Sequence, residues 1–464
     1  GFRRLMMAAL EACAAHLTTQ LPAGAESRHS LMSLAEALWG VHFPADLATA
    51  EWARRRLAFE ELFLLQRELE TRRRALRQCE GFAFSESNDL VPRLLGSLPF
   101  ELTAAQSRCT DEIGADLAAR LPMRRLLHGD VGSGKTLVAL CAALRVVEHG
   151  FQAAIMVPTE ILAEQHFHTV RRLASGIGME DVVLFKGGAR TALKRELRNG
   201  LASGATRLVV GTHALIEADV EFARLGLAIV DEQHRFGVAQ RARLSAKGAA
   251  IDLLIMTATP IPRSLALTLY GDLSVSVIDE LPPGRQPIRT ALRDPERRQG
   301  IFGFVANQVR AGRQAYVVYP LIEDSEKIDL TSAQSGFEEL RTGWLADCRV
   351  ELLHGRLPTE EKVDVMARFA AGEVDVLVST TVIEVGVDVA NATVIVIEHA
   401  ERFGLAQLHQ LRGRVGRGTE EAYCILVAYP TEGEGDEWRE RLTALCETND
   451  GFTLARKDLE IRGP

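Results

Sequence analysis

Gly129, Gly134, Lys135 and Thr136 satisfy the spacing G-x-x-x-x-G-K-[ST] within Gly129-Asp130-Val131-Gly132-Ser133-Gly134-Lys135-Thr136. Glycines there let backbone N–H groups turn inward around phosphate oxygens, a following helix adds positive potential at its N-terminus, and Lys135 adds a point charge. The Thr136 hydroxyl suits Mg2+. Gly129, Gly132, Ser133, Gly134, Lys135 and Thr136 are therefore candidate ligands of a nucleoside triphosphate. Further along, Asp231-Glu232-Gln233-His234 closes an apolar strand. An aspartate at such a strand end can hold Mg2+ through water, and Glu232 can orient and deprotonate an attacking water. Thr257-Ala258-Thr259-Pro260 ends the next strand, which puts its hydroxyls beside that acidic pair. Gln410-Leu411-Arg412-Gly413-Arg414-Val415-Gly416-Arg417 offers the positive charge that phosphoryl transfer needs on the γ-phosphate oxygens. Read as a helix, it would be a poor structural choice, because each interior glycine costs about 1 kcal/mol.

These residues must be held by a scaffold. Strands are expected at 125–128, 153–157, 181–184, 207–210, 227–230 and 253–256, alternating with helices or loops. That texture implies a parallel sheet covered on both faces, with ligands at the carboxyl ends of its strands. Leu281-Pro282-Pro283-Gly284 reads as a linker. A second α/β set follows at 315–319, 350–353, 375–379, 393–397 and 423–427, without a phosphate loop of its own. Ahead of both, Glu51 to Glu80 carries one long amphipathic helical pattern. Its Arg54-Arg55-Arg56 and Arg72-Arg73-Arg74 clusters read as a solvated face paired with Glu60, Glu61, Glu68 and Glu70, with phosphate contact as the alternative. The expected organisation is a helical linker segment at 1–84, a first lobe at 85–281, a second at 282–432 and the start of a C-terminal helical motif at 433–464.

The 464 residues suffice for several domains, and 47% hydrophobic with 25% charged residues is ordinary for a globular protein. Arg145 interrupts the longest apolar run well short of the ~18 residues of a membrane helix. The net charge of −8 argues against a wholesale basic nucleic-acid binder, although a local basic track remains compatible with it. Seven scattered cysteines without a C-x-x-C pair disfavour zinc and disulfide frameworks and suit a reducing cytoplasm. His166 and His168 read as surface or capping histidines without carboxylate partners. A first residue Gly1 and an ending at Arg462-Gly463-Pro464 read as a fragment.

Together the motifs resemble superfamily 2 helicases and translocases, which implies two tandem RecA-like lobes with ATP and Mg2+ between them. The resemblance covers about residues 98–430. It implies that Gln106, in Leu102-Thr103-Ala104-Ala105-Gln106, reads adenine and that Asp388 belongs to the nucleotide site. By the same likeness, Pro158 and Thr159, Thr212 and His213, Thr257 and Thr259, and Thr380 and Thr381 belong to loops that touch the DNA strand. Asp231–Gly237, Thr257–Leu265, Leu321–Leu330 and Ser379–Ala392 narrow the likeness to RecG-type branched-DNA helicases. Arg56–Phe63 is similar to the helical linker of that family. Asp458 and Arg462 in the closing segment are similar to the opening of its translocation motif. The family implies a motor acting on stalled forks and four-way junctions, monomeric, in the bacterial cytoplasm at the nucleoid, with single-stranded-DNA-binding protein as a partner. Nothing in the chain resembles the family's oligonucleotide-binding wedge domain. The related translocase of transcription-repair coupling is the alternative.

Overall fold

The computed structural model describes residues 1–77, 79–187, 191–217, 219–232, 251–258, 273–282, 286–320, 326–380, 389–418, 420–429 and 436–462. Thr259, Thr381, Asp388, Gln233, His234, Gly463, Pro464 and the side chain of Arg462 lie outside the described residues. The chain divides into a unit built on Gly1–Gln78 and a unit built on Cys79–Leu269 with Leu273–Pro464.

The first unit is helical, and its longest helix runs Leu47–Arg77. Before it, Ser33 and Glu36 cap the helix Leu34–His42 reciprocally, the serine Oγ accepting from the Glu36 N–H and the glutamate accepting from the Ser33 N–H. Arg56 departs from the expected solvated face. It is fully buried, paired with Glu60 at 2.8 Å and Glu26 at 3.1 Å, and donates to Thr19 Oγ1 at 2.8 Å. The i, i+4 spacing to Glu60 made the pair foreseeable, but the burial follows from Thr19 and Glu26, which only the tertiary fold brings over that helix face. Arg74 does stay exposed beside Glu70.

The second unit holds two parallel sheets. In the first lobe the strands are β1 Arg124–Gly129, β2 Gln152–Met156, β3 Val182–Phe185, β4 Leu208–Gly211, β5 Leu225–Asp231, β6 Asp252–Thr257 and β7 Ser274–Ile278. Their order is β3-β4-β2-β5-β6-β1-β7, with every pairing parallel. The second lobe orders β8 Arg289–Arg293, β9 Gln314–Val318, β10 Val350–Leu353, β11 Val376–Ser379, β12 Ala392–Ile397 and β13 Tyr423–Val427 as β10-β11-β9-β12-β13-β8, again all parallel. The fold is α/β, two tandem RecA-like lobes preceded by a helical segment.

The central strands are continuous apolar runs because helices cover both faces. In β9, β11 and β12, Tyr316, Val318, Leu377, Ile395 and Ile397 enter one core, while Ala315, Val317, Val376, Val378, Val394 and Val396 enter the other. The helix Lys135–Glu148 is buried along almost its whole length. Two strands were not expected from the sequence, β7 and β8, and both are sheet edges. An edge strand is half solvated, so Ser274–Ile278 and Arg289–Arg293 carry polar residues in place of an apolar run. No helix among the described residues is long and apolar enough to cross a membrane.

Asp252 opens β6 inside the first lobe, 1% exposed, and its Oδ1 accepts the Met123 N–H at 2.5 Å. Burial pushes its carboxyl up to about 7, against the pull of that hydrogen bond and of Arg124. The folded state therefore keeps this proton to higher pH than the unfolded chain, and stability is lost as pH rises from the ordinary value of 3.8 through about 7. Asp252→Asn is expected to match the parent near pH ~4 and to gain ~1–3 kcal/mol near pH ~8. Denaturant unfolding at both pH values checks this, and an equal difference at the two would refute it.

Candidate active site

β1 ends at Gly129 and the helix Lys135–Glu148 begins directly after the loop, with Gly134 as its N-cap at φ +88°. A Cβ on Gly129 would sit 2.6 Å from Ser133 Oγ, and one on Gly134 would collide with the Gln106 carboxamide. The loop is thus a backbone cradle with no room for side chains at those two positions. Lys135 Nζ donates to the carbonyls of Gly129 and Asp130, both at 2.8 Å. Burial holds its ammonium below the ordinary lysine range, opposed by Asp231, Glu232 and Asp130. The guanidinium of Arg417, from the second lobe, depresses it further.

Asp231 ends β5 and Glu232 follows in the left-handed region at φ +52°. The Glu232 N–H donates to Asp231 Oδ1 at 3.0 Å and to the Met256 carbonyl at 3.1 Å, so it is tied to β6. β6 runs between β5 and β1, with Thr257 level with His128 and Met256 level with Asp231. Thr257 therefore stands between the phosphate loop and the acidic pair. His166 corrects the expectation of a surface histidine. It is buried in the helix Glu160–Ser175, and its Nε2 lies 3.0 Å from Asp231 Oδ2. Burial pushes the Asp231 carboxyl up, but the His166 hydrogen bond, His166 and Lys135 charges and the Glu232 N–H hold it below the usual carboxylate range. His168 is exposed, as expected.

In the second lobe the helix Leu405–Arg412 ends before the arginine pair, with Gly413 as its C-cap. Arg414 and Arg417 thus lie in the turn beyond it, and Gly416 takes φ +72° there. The arginines and glycines therefore lie beyond the helix and not inside it, in keeping with the cost of glycine in a helix interior. A Cβ on Gly413 would sit 2.9 Å from Val131, so the helix end meets the phosphate loop. Arg417 Nε donates to the Gly413 carbonyl at 3.1 Å, and Gln410 is buried in the same helix. His409, outside the motif read from the sequence, is 2.6 Å from Asp130 of the phosphate loop.

The remaining predicted residues divide by access. Pro158 and Thr159 follow β2, and Thr159 Oγ1 accepts the Leu162 N–H at 3.4 Å as a helix cap. Thr212 and Thr380 follow β4 and β11 but are buried, whereas His213 is exposed. Asp458 is half-buried in the helix Gly451–Arg462. Gln106 is buried, its Oε1 accepting the Thr103 N–H at 3.0 Å and its Nε2 donating to the Ser133 carbonyl at 2.8 Å. One N–H and one lone pair of that carboxamide remain for a further partner.

The residues fit a phosphate and Mg2+. The glycine cradle admits backbone approach, Lys135 is held by exchangeable carbonyl contacts, Asp231 is kept ionised, and the Thr136 hydroxyl opens the helix after the loop, so both residues bring hard oxygen donors.

The DEAD/DEAH box helicase family matches residues 103–268, and the helicase conserved C-terminal domain matches residues 301–419. The chain is 47% identical over 466 residues to the ATP-dependent DNA helicase RecG of Synechocystis sp., covering 100% of this chain and 55% of that protein. It is 46% identical over 463 residues to the ATP-dependent DNA helicase RecG of Bacillus subtilis, covering 100% and 67%. A solved structure of RecG bound to a three-way DNA junction superposes with a TM-score of 0.83 at 45% identity, covering 100% of this chain and 61% of that one. The chain thus spans between about half and two thirds of the length of the relatives it matches.

Proposed function

This chain belongs to the RecG family of ATP-dependent DNA helicases, and from that premise we propose that it is a DNA-dependent ATPase motor acting on branched DNA. The observation that carries this reading is the meeting of the phosphate loop with the second lobe: His409 lies 2.6 Å from Asp130, and Gly413, just before Arg414 and Arg417, packs against Val131. A nucleotide between the lobes would be gripped from both sides.

In this reading the loop N–H groups and Lys135 bind the phosphates of ATP, and the free N–H and lone pair of Gln106 read adenine. Thr136 and Asp231 would hold Mg2+, which supplies charge neutralisation at the phosphates when bound. Glu232 takes the proton of the attacking water. Arg417 or Arg414 stabilises the charge that develops on the γ-phosphate, while Gln410 and Asp388 complete the second lobe's side of the site. His166 holds Asp231 in orientation through its Nε2.

The DNA track would run over the strand-end loops. Pro158, Thr159 and His213 offer accessible groups, whereas Thr212, Thr257 and Thr380 require their loops to open before the hydroxyls reach a phosphate. Thr259 and Thr381 complete the proposed track, and Asp458 with Arg462 would couple it to the lobes. The proposed substrates are forks and four-way junctions, the proposed state a monomer, and the proposed setting the bacterial cytoplasm at the nucleoid, with single-stranded-DNA-binding protein as partner.

Phosphate release with and without a synthetic fork tests the proposal directly, and DNA-independent or absent turnover would refute it. Contacts should be mainly to phosphates, because a motor must pass over any sequence. Binding should weaken steeply with salt, with a slope of about −0.9 per phosphate contacted on a log–log plot, and should hardly depend on base sequence. A flat salt response would rule out backbone tracking.

A further inference from the structure

A cavity of about 430 Å³ lies at the edge of the second lobe's sheet, lined by residues that neither the nucleotide nor the DNA reading uses. Three elements form it, and the period of each explains which residues face it. Arg289, Ala291 and Arg293 alternate along β8 and so share one face of that strand. Tyr423 and Ile425 of β13 pair with Arg289 and Ala291 and continue the same face. Arg297, Gly300, Ile301 and Phe304 follow the spacing i, i+3, i+4, i+7, one side of the helix Arg298–Arg310 and its N-cap. β8 has a neighbouring strand on one side only, so no further strand closes the cavity there.

Floor and rim differ in chemistry. Ala291, Ile301, Phe304, Tyr423 and Ile425 make an apolar floor, in which the Phe304 and Tyr423 rings meet edge-on with centroids 5.0 Å apart. The rim carries three guanidiniums, and no carboxylate lines the cavity. Arg289 is neutralised by Glu421 at 2.7 Å, and that carboxylate also accepts the Tyr423 hydroxyl at 2.8 Å. Arg293 and Arg297 are exposed, and neither pairs with a carboxylate among the described residues. Arg293 donates only to the Leu292 carbonyl, at 3.0 Å. Gly300 is a second, independent sign. It lies inside the helix, and a Cβ there would meet nothing within 4 Å. Neither conformation nor crowding calls for glycine, which a helix interior disfavours against alanine. The missing side chain leaves space over the cavity floor.

We propose that this cavity binds a small organic anion, an aromatic or branched apolar body carrying one carboxylate, sulfonate or phosphate group. Its volume falls within the ~300–1,000 Å³ of small-ligand sites, whose linings are mostly apolar with a few polar groups that fix orientation. The body fills the floor, and Arg293 and Arg297 take the anionic oxygens, which planar guanidiniums bind through paired N–H groups. Duplex DNA is a poorer occupant, because its phosphates need no apolar floor and its bases are already stacked. The cavity shares no residue with the phosphate loop or with the turn that carries Arg414 and Arg417.

Fluorescence of anilinonaphthalenesulfonate, an aromatic body with one sulfonate, tests this on the intact chain, with and without an excess of an ATP analogue. The parent should bind the dye saturably, about tenfold or more tightly than phenylnaphthylamine, which has the same body without the charge. Gly300→Phe, whose ring enters the open space, should weaken dye binding about tenfold or more, whereas Gly300→Ala should keep it. Arg293→Gln combined with Arg297→Gln should reduce the dye to the affinity of the neutral body. Basal ATP turnover and thermal unfolding should stay at parent values in these variants, and the exposed arginines carry the test even where Gly300→Phe lowers stability. Parent-like dye binding in Gly300→Phe or in the double arginine variant would overturn the proposal. So would equal affinity for the charged and neutral bodies, or the absence of saturable binding. Displacement of the dye by the ATP analogue would assign it to the nucleotide site and overturn the proposal as well.

Discussion

Glu232→Gln is expected to bind ATP as tightly as the parent and to hydrolyse it ~10²–10⁴-fold more slowly. The substitution keeps size and hydrogen-bonding atoms but removes the carboxylate that would take the proton from water. The local backbone supports this assignment. Glu232 sits at φ +52°, a conformation that non-glycine residues rarely adopt and that costs ~1–3 kcal/mol unless the surroundings enforce it. Here the enforcement comes from its N–H, held by Asp231 Oδ1 and the Met256 carbonyl. Lys135→Ala provides the contrast, since removing the ammonium should weaken nucleotide binding and turnover together. Nucleotide affinity by calorimetry beside single-turnover hydrolysis separates the two effects. If both variants lose affinity to the same degree, Glu232 is a binding residue and the division of labour is wrong.

Arg417→Ala should leave nucleotide affinity mostly intact and slow hydrolysis by ~10³-fold or more, as for arginines supplied to a transferring phosphoryl group. Arg417 lies beyond the end of the helix Leu405–Arg412, its Nε anchored on the Gly413 carbonyl, and its charge acts on Lys135 across the lobes. A second cation acting on the phosphate-loop lysine disfavours its ammonium until an anion offsets the two charges. Turnover within a few-fold of the parent would transfer the role to Arg414, and unaffected turnover in both variants would remove the second lobe from the chemistry.

The features legible from residue order alone are those contiguous along the chain. The phosphate loop is read by local spacing because its ligands are consecutive backbone groups, so order along the chain and order in space coincide. The central strands were legible for a similar reason, since burial on both faces writes an unbroken apolar run into β2, β5, β9 and β12. The edge strands β7 and β8 were not, because half-solvated positions accept polar residues and erase that signal. Beyond these, tertiary structure decided. His166 has no neighbour in sequence to mark it, and it becomes a partner of Asp231 only because β5 lies next to β2 in the sheet, which brings the end of β5 within reach of the helix that follows β2. Arg56 looked like one of three equivalent arginines until Thr19 and Glu26 enclosed it. The Asp130–His409 contact joins positions 279 apart, which local propensity and periodicity do not register. Such contacts are set by how one sheet closes on another, and that depends on every core residue between them.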